Sequence, residues 1–194
     1  MPTYKKVLVI INPRSGRLRV RSQLFDIASC FSEHGCETTV FTTGARGDAE
    51  RYAAAMEDRF DIVVCRGGDG TLNEVVNGVM RVKEKKPIGY LPAGTSNDFA
   101  HTLGIPDEGK KAVLAIVNGT PLPHDIGIFN DERYVNYTAS FGLFTKSSYS
   151  TPQPAKNFLG YGAYLSVAVK ELSQIKTQRV KVTCDGEVYE VLAL

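Results

Sequence analysis

The sequence has few residues that could form a disulfide framework or a metal site. It contains four cysteines and three histidines in 194 residues, and no two cysteines form a C-x-x-C pair. Three of the cysteines lie in or beside apolar runs, which favours buried free thiols in a reducing compartment. A metal site built from such residues would need clustered ligands, and the histidines are scattered, so we predict no metal site of this kind in the chain. The residues concerned are Cys30, Cys36, Cys65, Cys184, His34, His101 and His124.

The sequence also lacks a long apolar run and a large net charge. No stretch approaches the ~20 apolar residues of a membrane helix, and the first apolar run is too short for the core of a signal peptide. The formal net charge of +2 is too small to indicate a nucleic-acid partner. Because 43% of the residues are hydrophobic and 23% are charged, the chain can form an ordinary globular core. We therefore expect a soluble, cytoplasmic protein that does not bind nucleic acid.

Short β-branched apolar runs alternate with helical patterns through the first hundred residues. Alternation with short connections predicts an α/β fold, with a mainly parallel sheet and helices on both of its faces. Such sheets bind ligands in the crevice beyond the carboxyl ends of their strands. Glycine- and hydroxyl-rich turns follow Ile11, Cys65 and Leu91, and we expect them to converge there. Strands are predicted at residues 7–11, 37–42, 61–65 and 87–91, and helices at 20–34, 48–58 and 71–83.

The pattern changes after about residue 124, where hairpin signals replace the alternation. One hairpin is predicted about Asn130-Asp131 and a second about Asp185-Gly186. The predicted organisation is therefore a nucleotide-binding domain at 1–124 and part of a β-rich second domain at 125–194. Since the final residues still have the pattern of an apolar strand, we expect the natural protein to continue. Strands are predicted at 125–129, 133–140, 178–184 and 187–194, with a loop at 145–157 and a helix at 159–175.

The strongest chemical signal is a glycine-rich turn between a strand and a helix. Its glycines let a phosphate or ribose approach the backbone closely, and the amides at the start of the helix can bind an anion. The Asp69 carboxylate can face Mg²⁺ or a substrate hydroxyl, which makes it a candidate catalytic residue. Thr71 can cap the helix or contact phosphate. The alternative is a plain strand–helix turn in which Asp69 is an ordinary cap. The segment is Gly67-Gly68-Asp69-Gly70-Thr71-Leu72-Asn73-Glu74.

Two further turns present polar groups at the ends of predicted strands. The first can bind phosphate through amide, hydroxyl and guanidinium groups, although a plain turn explains it equally well. The second precedes a short helix, and its Asn97 and Asp98 can equally serve as N-caps. Arg17, Arg19 and Arg21 follow the first turn and form a solvated face, or help to hold phosphate or an anionic membrane surface. The turns are Asn12-Pro13-Arg14-Ser15-Gly16 and Gly94-Thr95-Ser96-Asn97-Asp98-Phe99-Ala100.

Taken together, the three motifs resemble the diacylglycerol kinase catalytic family in their order and spacing. This family includes bacterial diacylglycerol kinases, related bacterial lipid kinases, and the ceramide and sphingosine kinases. The Gly-Gly-Asp-Gly signature is shared with NAD kinases and phosphofructokinases, so the resemblance implies a nucleotide-binding sheet of that kind. The extensions Leu72-Asn73-Glu74 and Asn97-Asp98-Phe99 favour the lipid kinases. The resemblance covers essentially the whole chain.

The resemblance implies an ATP site with Mg²⁺ near the phosphates. It also implies transfer of the γ-phosphoryl group to the hydroxyl of diacylglycerol or a related lipid, which gives phosphatidic acid for phospholipid biosynthesis. The lipid would be met at a membrane surface by a peripherally associated enzyme, and a homodimer is a candidate assembly. The residues assigned to the nucleotide are Asn12, Pro13, Arg14, Ser15, Gly16, Thr43, Gly67, Gly68, Asp69, Gly70, Thr71, Leu72, Asn73 and Thr95.

The position of the catalytic base departs from the family pattern. Asp185-Gly186-Glu187 looks like the family's base motif, but by order along the chain it aligns with an earlier hairpin turn. The family's base and structural Mg²⁺ ligands are expected beyond residue 194, so we predict that Asp185 is a turn residue. The helix at 159–175 forms either the core of the second domain or one wall of an acyl-chain pocket. An NAD kinase-like enzyme and a nucleotide-binding module without turnover remain the alternatives.

Overall fold

Four parallel strands form the sheet at the centre of the first part of the chain. The computed structural model describes residues 4–15, 20–56, 59–139 and 177–193. All neighbouring strand pairs in this sheet are parallel, in the order β2-β1-β3-β4. The α/β fold with a mainly parallel sheet is therefore confirmed. The strands are β1 (Lys6–Ile11), β2 (Glu37–Thr42), β3 (Ile62–Gly67) and β4 (Ile88–Pro92).

The two central strands are apolar because both of their faces are covered. Residues 7–11 of β1 and 62–65 of β3 are at most 2% exposed. Continuous β-branched and aliphatic runs are typical of strands in such a position. Each fully buried Val, Leu or Ile side chain stabilises the fold by ~1.5–3 kcal/mol relative to an exposed one. β2 lies at the edge of the sheet and is only partly buried.

Helices cover both faces of the sheet, as the sequence predicts. Ile27 and Phe31 of α1 pack with Val113 of α5 against one face. Ala53 of α2 and Val75 of α3 pack against the other face, together with residues of α4. The helix α5 was not predicted, although its apolar residues 112, 113, 116 and 117 have helical spacing. The helices are α1 (Val20–Glu33), α2 (Asp48–Ala54), α3 (Asp69–Val79), α4 (Asp98–Leu103) and α5 (Gly109–Asn118).

Several predicted ends of helices and strands differ from those in the structure. α2 ends at Ala54 rather than at residue 58, because Met56 turns into the core and is 1% exposed. α3 covers 69–79 rather than 71–83. β3 extends to Gly67, which still pairs with Pro92 of β4. The predicted glycine turn is therefore a single residue, Gly68, between a strand and a helix.

The helices α2 and α3 contact each other closely at Gly78. A Cβ atom at Gly78 would lie 2.3 Å from the backbone oxygen of Glu50 and 2.7 Å from the Cβ atom of Ala53. Glycine therefore lets the α3 backbone approach α2. The buried Glu50 carboxylate adds ion pairs to Arg81, at 2.5 Å, and to Arg133, at 3.4 Å.

A short hairpin follows the sheet and packs on α3. It consists of β5 (Gly127–Phe129) and β6 (Arg133–Val135), joined by a turn in which Asn130 and Asp131 have positive φ. The Asn77 side chain of α3 donates to the Tyr134 carbonyl at 2.8 Å and accepts from the Tyr134 amide at 3.0 Å. This hairpin and the sheet lie in one compact unit, 1–138. The proposed domain boundary at 124/125 stays a prediction.

The second compact unit comprises residues 139–194, of which 139 and 177–193 are described. There, β7 (Gln178–Cys184) and β8 (Glu187–Ala193) form an antiparallel hairpin. Asp185 and Gly186 form its turn, with φ values of 49° and 84°. The predicted hairpin is confirmed. The predicted loop at 145–157 and helix at 159–175 lie outside the described residues.

Candidate functional site

The carboxyl ends of the four strands meet at one edge of the first unit. β1 is followed by the turn that begins at Asn12, β3 by the glycine turn, and β4 by the segment 93–97. Chain order reverses between β1 and β3, since β1 continues to β2 on one side while β3 lies on the other. Ligands of open α/β sheets bind at such a switch point. The expected convergence of the three turns is confirmed.

Asn12 connects the first turn to the glycine turn. Its Nδ2 donates to Thr71 Oγ1 at 3.1 Å, and its Oδ1 accepts from the Arg14 amide at 3.0 Å. Its carbonyl accepts from the amide of Ser15, a residue that is 9% exposed. Pro13 and Arg14 are exposed, so the guanidinium of Arg14 can reach a phosphate. Gly16, Arg17 and Arg19 lie outside the described residues, as does the side chain of Arg21.

The glycine turn and the 93–97 segment contact each other through their backbones. The Ala93 amide donates to the Gly67 carbonyl at 2.8 Å. A Cβ atom on Gly68 would lie 3.1 Å from Gly94 Cα, and one on Gly94 would lie 2.6 Å from Gly68 Cα. The neighbouring loop therefore requires glycine at position 94 and leaves little room for a side chain at position 68, independently of any ligand.

Asp69 bonds to the helix after the next strand rather than to its own. Its two carboxylate oxygens accept from the amides of Asp98, at 3.1 Å, and Phe99, at 3.3 Å. These are orphan donors at the start of α4, so Asp69 caps that helix across the crevice. The plain cap of its own helix that the sequence left open is therefore not formed, because the N-cap of α3 is Gly68 and the Asp69 side chain joins two loops instead. Its candidate catalytic role stays a prediction.

The other residues assigned to the nucleotide differ in exposure. Gly70 is exposed, and a Cβ atom there would meet nothing within 4 Å. Thr95 is exposed, and Thr43 lies at the end of β2, where its amide donates to the Ile11 carbonyl at 2.8 Å. The Leu72 side chain belongs to the core at 2% exposure, so only its backbone faces the turn. The buried Oδ1 of Asn73 has no hydrogen-bond partner among the described residues.

The loop after Thr43 is held by an aspartate. Asp48 Oδ2 accepts from the amides of Gly44, at 2.8 Å, and Ala45, at 2.9 Å. These backbone bonds, together with Arg51, lower the pKa of the Asp48 carboxyl to about 2. The carboxylate therefore stays ionised at neutral pH and fixes the edge of the crevice beside β2.

Three buried polar residues near the crevice were missed or underestimated in the sequence. The sequence offered Asn97 either as a polar group of the crevice or as an N-cap. It is the N-cap residue of α4, but its Oδ1 accepts from the Gly94 amide at 2.7 Å and lies 3.4 Å from the Tyr90 hydroxyl. Tyr90 and Arg66 are 4% exposed, and burial lowers the pKa of the Arg66 guanidinium. The signal in the sequence that could have identified these residues is a polar side chain in or just after an otherwise apolar strand.

The described residues contain neither a cluster of metal-ligating side chains nor a helix that could span a membrane. Within 4–15, 20–56, 59–139 and 177–193, no three His, Cys, Asp or Glu residues cluster as metal ligands. No helix in the same part of the chain is both long and apolar enough to cross a membrane. The predicted burial of Cys30, Cys36 and Cys65 is confirmed, whereas Cys184 is exposed.

Known proteins resemble this chain in sequence and in fold. It is 36% identical over 189 residues to a diacylglycerol kinase of Bacillus subtilis and 36% identical over 191 residues to one of Staphylococcus aureus. The alignments cover 96% and 98% of this chain but 62% and 60% of the relatives. A crystal structure of a diacylglycerol kinase from Bacillus anthracis superposes with a TM-score of 0.72 at 27% identity, covering 98% of this chain and 62% of that one.

The match to a family model extends over the sheet and its loops. The model of the diacylglycerol kinase catalytic domain matches residues 6–129, from β1 to the end of β5. This range includes the three turns at the carboxyl edge and exceeds half of the chain. The chain therefore belongs to the diacylglycerol kinase catalytic domain family.

Proposed function

We propose that the carboxyl edge of the sheet binds ATP, and that the protein is an ATP-dependent lipid kinase. The acceptor would be the hydroxyl of diacylglycerol or a related lipid, and the product phosphatidic acid. The observation that carries the proposal is the joining of three turns at the switch point, through Asn12–Thr71, Gly67–Ala93 and Asp69–Asp98. Together with family membership, this favours a phosphate site that exists before the nucleotide arrives.

In this proposal the chain acts by positioning and by charge. The start of α3 presents backbone amides beside the open Gly70, where a phosphate can approach without meeting a side chain. Arg14 is exposed at the first turn and supplies a cation. Phosphoryl transfer depends mostly on alignment and on neutralising charge. A cradle that is already joined across three loops holds the phosphates with little reorganisation.

The described residues fit a Mg²⁺ ion that arrives with ATP. Such an ion needs only one or two carboxylates, because the phosphates and water supply the other ligands. Asp69 faces the crevice, and its carboxylate offers about four acceptor positions, of which two are used by α4. When bound, Mg²⁺ would neutralise phosphate charge, and Asp69 would hold it.

The remaining parts of the proposal concern the catalytic base, the cellular location and the oligomeric state. We propose that the base lies outside residues 1–194, since Asp185 occupies a hairpin turn. The chain spans about 60% of the length of the relatives it matches. We further propose that the protein is cytoplasmic and meets its lipid substrate at a membrane surface. A homodimer is the candidate assembly. Light scattering of the purified protein would detect the dimer.

The test compares two acceptors with labelled ATP. We expect the natural protein to label diacylglycerol presented in mixed micelles and not NAD. Labelling of NAD alone would favour an NAD kinase-like enzyme, which shares the glycine turn. ATP binding by calorimetry without transfer to either acceptor would favour a nucleotide-binding module. Absence of ATP binding would refute all three.

A further inference from the structure

A buried tyrosine outside the three motifs lies beneath the crevice. Tyr90 belongs to β4, is 4% exposed, and has its ring in the core that α2, α3 and α4 cover. The ring contacts Phe99, with centroids 6.4 Å apart. Packing of the ring explains an aromatic residue at this position but does not explain the hydroxyl, since a buried hydroxyl costs free energy unless it forms a hydrogen bond.

The hydroxyl of Tyr90 points to the residue that shapes the 93–97 segment. It donates to Asn97 Oδ1 over 3.4 Å, a long bond. Asn97 has the left-handed conformation, with φ 52°, and the same Oδ1 accepts from the Gly94 amide. Its Nδ2 donates back to the Gly94 carbonyl at 3.2 Å. Tyr90 therefore supports, from the core side, the residue that closes this loop.

The loop that Tyr90 supports is continuous with the start of α4. Asn97 directly precedes Asp98 and Phe99, whose amides donate to the Asp69 carboxylate. Burial and the negative charge of Asp69 together raise the pKa of the Tyr90 hydroxyl, so the phenol keeps its proton and donates to Asn97 Oδ1. One buried O–H group thus supports the segment that Asp69 joins to the glycine turn.

We propose that Tyr90 is a positioning residue of the nucleotide site, whose hydroxyl holds the Asn97 loop, and with it the start of α4 that Asp69 caps, in the placement that the ATP phosphates require. This inference rests on the proposed ATP site. Tyr90 touches no phosphate itself, because it is buried beneath both loops. It acts through Asn97, which closes the loop about Gly94 and directly precedes the two amides that bond to Asp69.

The substitution Tyr90→Phe removes the hydroxyl and keeps the ring in the core. The matched control is Tyr4→Phe, since Tyr4 is also buried, at 8% exposure, but packs in the core on the opposite face of the sheet. We expect Tyr90→Phe to raise the Kd for ATP about two- to tenfold, which corresponds to the loss of one hydrogen bond. Tyr4→Phe should leave this Kd unchanged, even where it lowers the melting temperature.

Amide hydrogen exchange provides a readout that does not depend on ATP. The amides of Gly94, Asp98 and Phe99 donate to Asn97 and Asp69, so Tyr90→Phe should speed their exchange selectively. Unchanged exchange at these amides, or an equal rise in Kd for Tyr4→Phe, would overturn the inference. If the unsubstituted chain binds no ATP, the proposed function fails, and the inference, which rests on that site, fails with it. Faster exchange at these amides would then show only that Tyr90 holds the loops.

Discussion

The glycines of the Gly-Gly-Asp-Gly segment occupy different surroundings, so a side chain would have a different effect at each position. Gly68 faces Gly94, and a Cβ atom there would lie 3.1 Å from Gly94 Cα. Replacing Gly68 with valine therefore disturbs the two loops as well as any phosphate approach, so loss of ATP affinity in that variant would not isolate the ligand. Gly70 has open space around its Cα atom and separates the two effects.

We predict that Gly70→Ala weakens ATP binding while it stabilises the fold. The new methyl group would lie in the space that a phosphate needs, and alanine is favoured over glycine in a helix by ~0.5–1 kcal/mol. Calorimetry with ATP and urea unfolding measure the two effects. Gly109→Ala at the start of α5 is the control, because its Cβ atom would meet Ile27 at an ordinary 3.7 Å. Unchanged ATP affinity in Gly70→Ala would contradict the proposed position of a phosphate beside Gly70.

Replacement of Asp69 tests its two roles. Asp69→Asn keeps the size of the side chain but leaves one acceptor oxygen for the amides of Asp98 and Phe99, which now use two. We predict that Mg²⁺ no longer strengthens ATP binding in this variant, and that turnover of the natural protein falls by orders of magnitude. Titrations of ATP into both proteins, with and without Mg²⁺, measure how much the ion strengthens ATP binding. An unaltered Mg²⁺ effect would leave Asp69 as the cap of α4.

Among the elements, the contact of α2 with α3 depends on one glycine. We predict that Gly78→Ala destabilises the protein by ~1–3 kcal/mol, because a Cβ atom would lie 2.3 Å from the Glu50 carbonyl and the helices would have to separate. Urea unfolding measures the change. Gly70→Ala in the same helix is the matched control and should have the opposite sign. Equal stability of the two variants would contradict the packing argument.

The Asp48 carboxylate, which holds the loop between β2 and α2, should make the stability of the fold depend on pH. The pKa of Asp48 is lowered from 3.8 to about 2 in the folded chain. A lowered pKa gives stability that is present above the unfolded pKa and is lost as the pH falls towards 2. We therefore expect Asp48→Asn to lower the melting temperature at pH 7, and to reduce the further loss between about pH 4 and 2. Parallel acid melting curves for both proteins would contradict this.

At the scale of the whole molecule, the chain forms two units, and the second contributes a hairpin turn. We predict that Asp185→Asn changes neither ATP affinity nor the melting temperature, because asparagine also tolerates the positive φ of this turn. The natural protein should keep its turnover within a few-fold. Asp185→Val is the contrasting variant, since a β-branched residue is strained there. Loss of turnover in Asp185→Asn with normal folding would make Asp185 a candidate base.

Local patterns in the sequence determined the order of the elements along the chain and the position of the turns. Continuous apolar runs such as Val7–Ile11 predict buried strands, because strands covered on both faces have no polar side to alternate with. Glycine and asparagine at turns such as Asp185-Gly186 predict hairpins, because few residues accept a positive φ. These features depend on neighbours in sequence, so they could be predicted without the structure.

Contacts between residues distant in sequence were decided by the tertiary structure alone. The cap that Asp69 gives to α4 spans 29 residues, and the pairing of Asn77 with Tyr134 spans 57. Likewise, Gly94 is needed because Gly68 lies against it, which no local pattern reveals. The ends of α2 and α3 were also misjudged from the local pattern. Sequence sets the local backbone, whereas the crevice forms only when the folded sheet brings its carboxyl ends together.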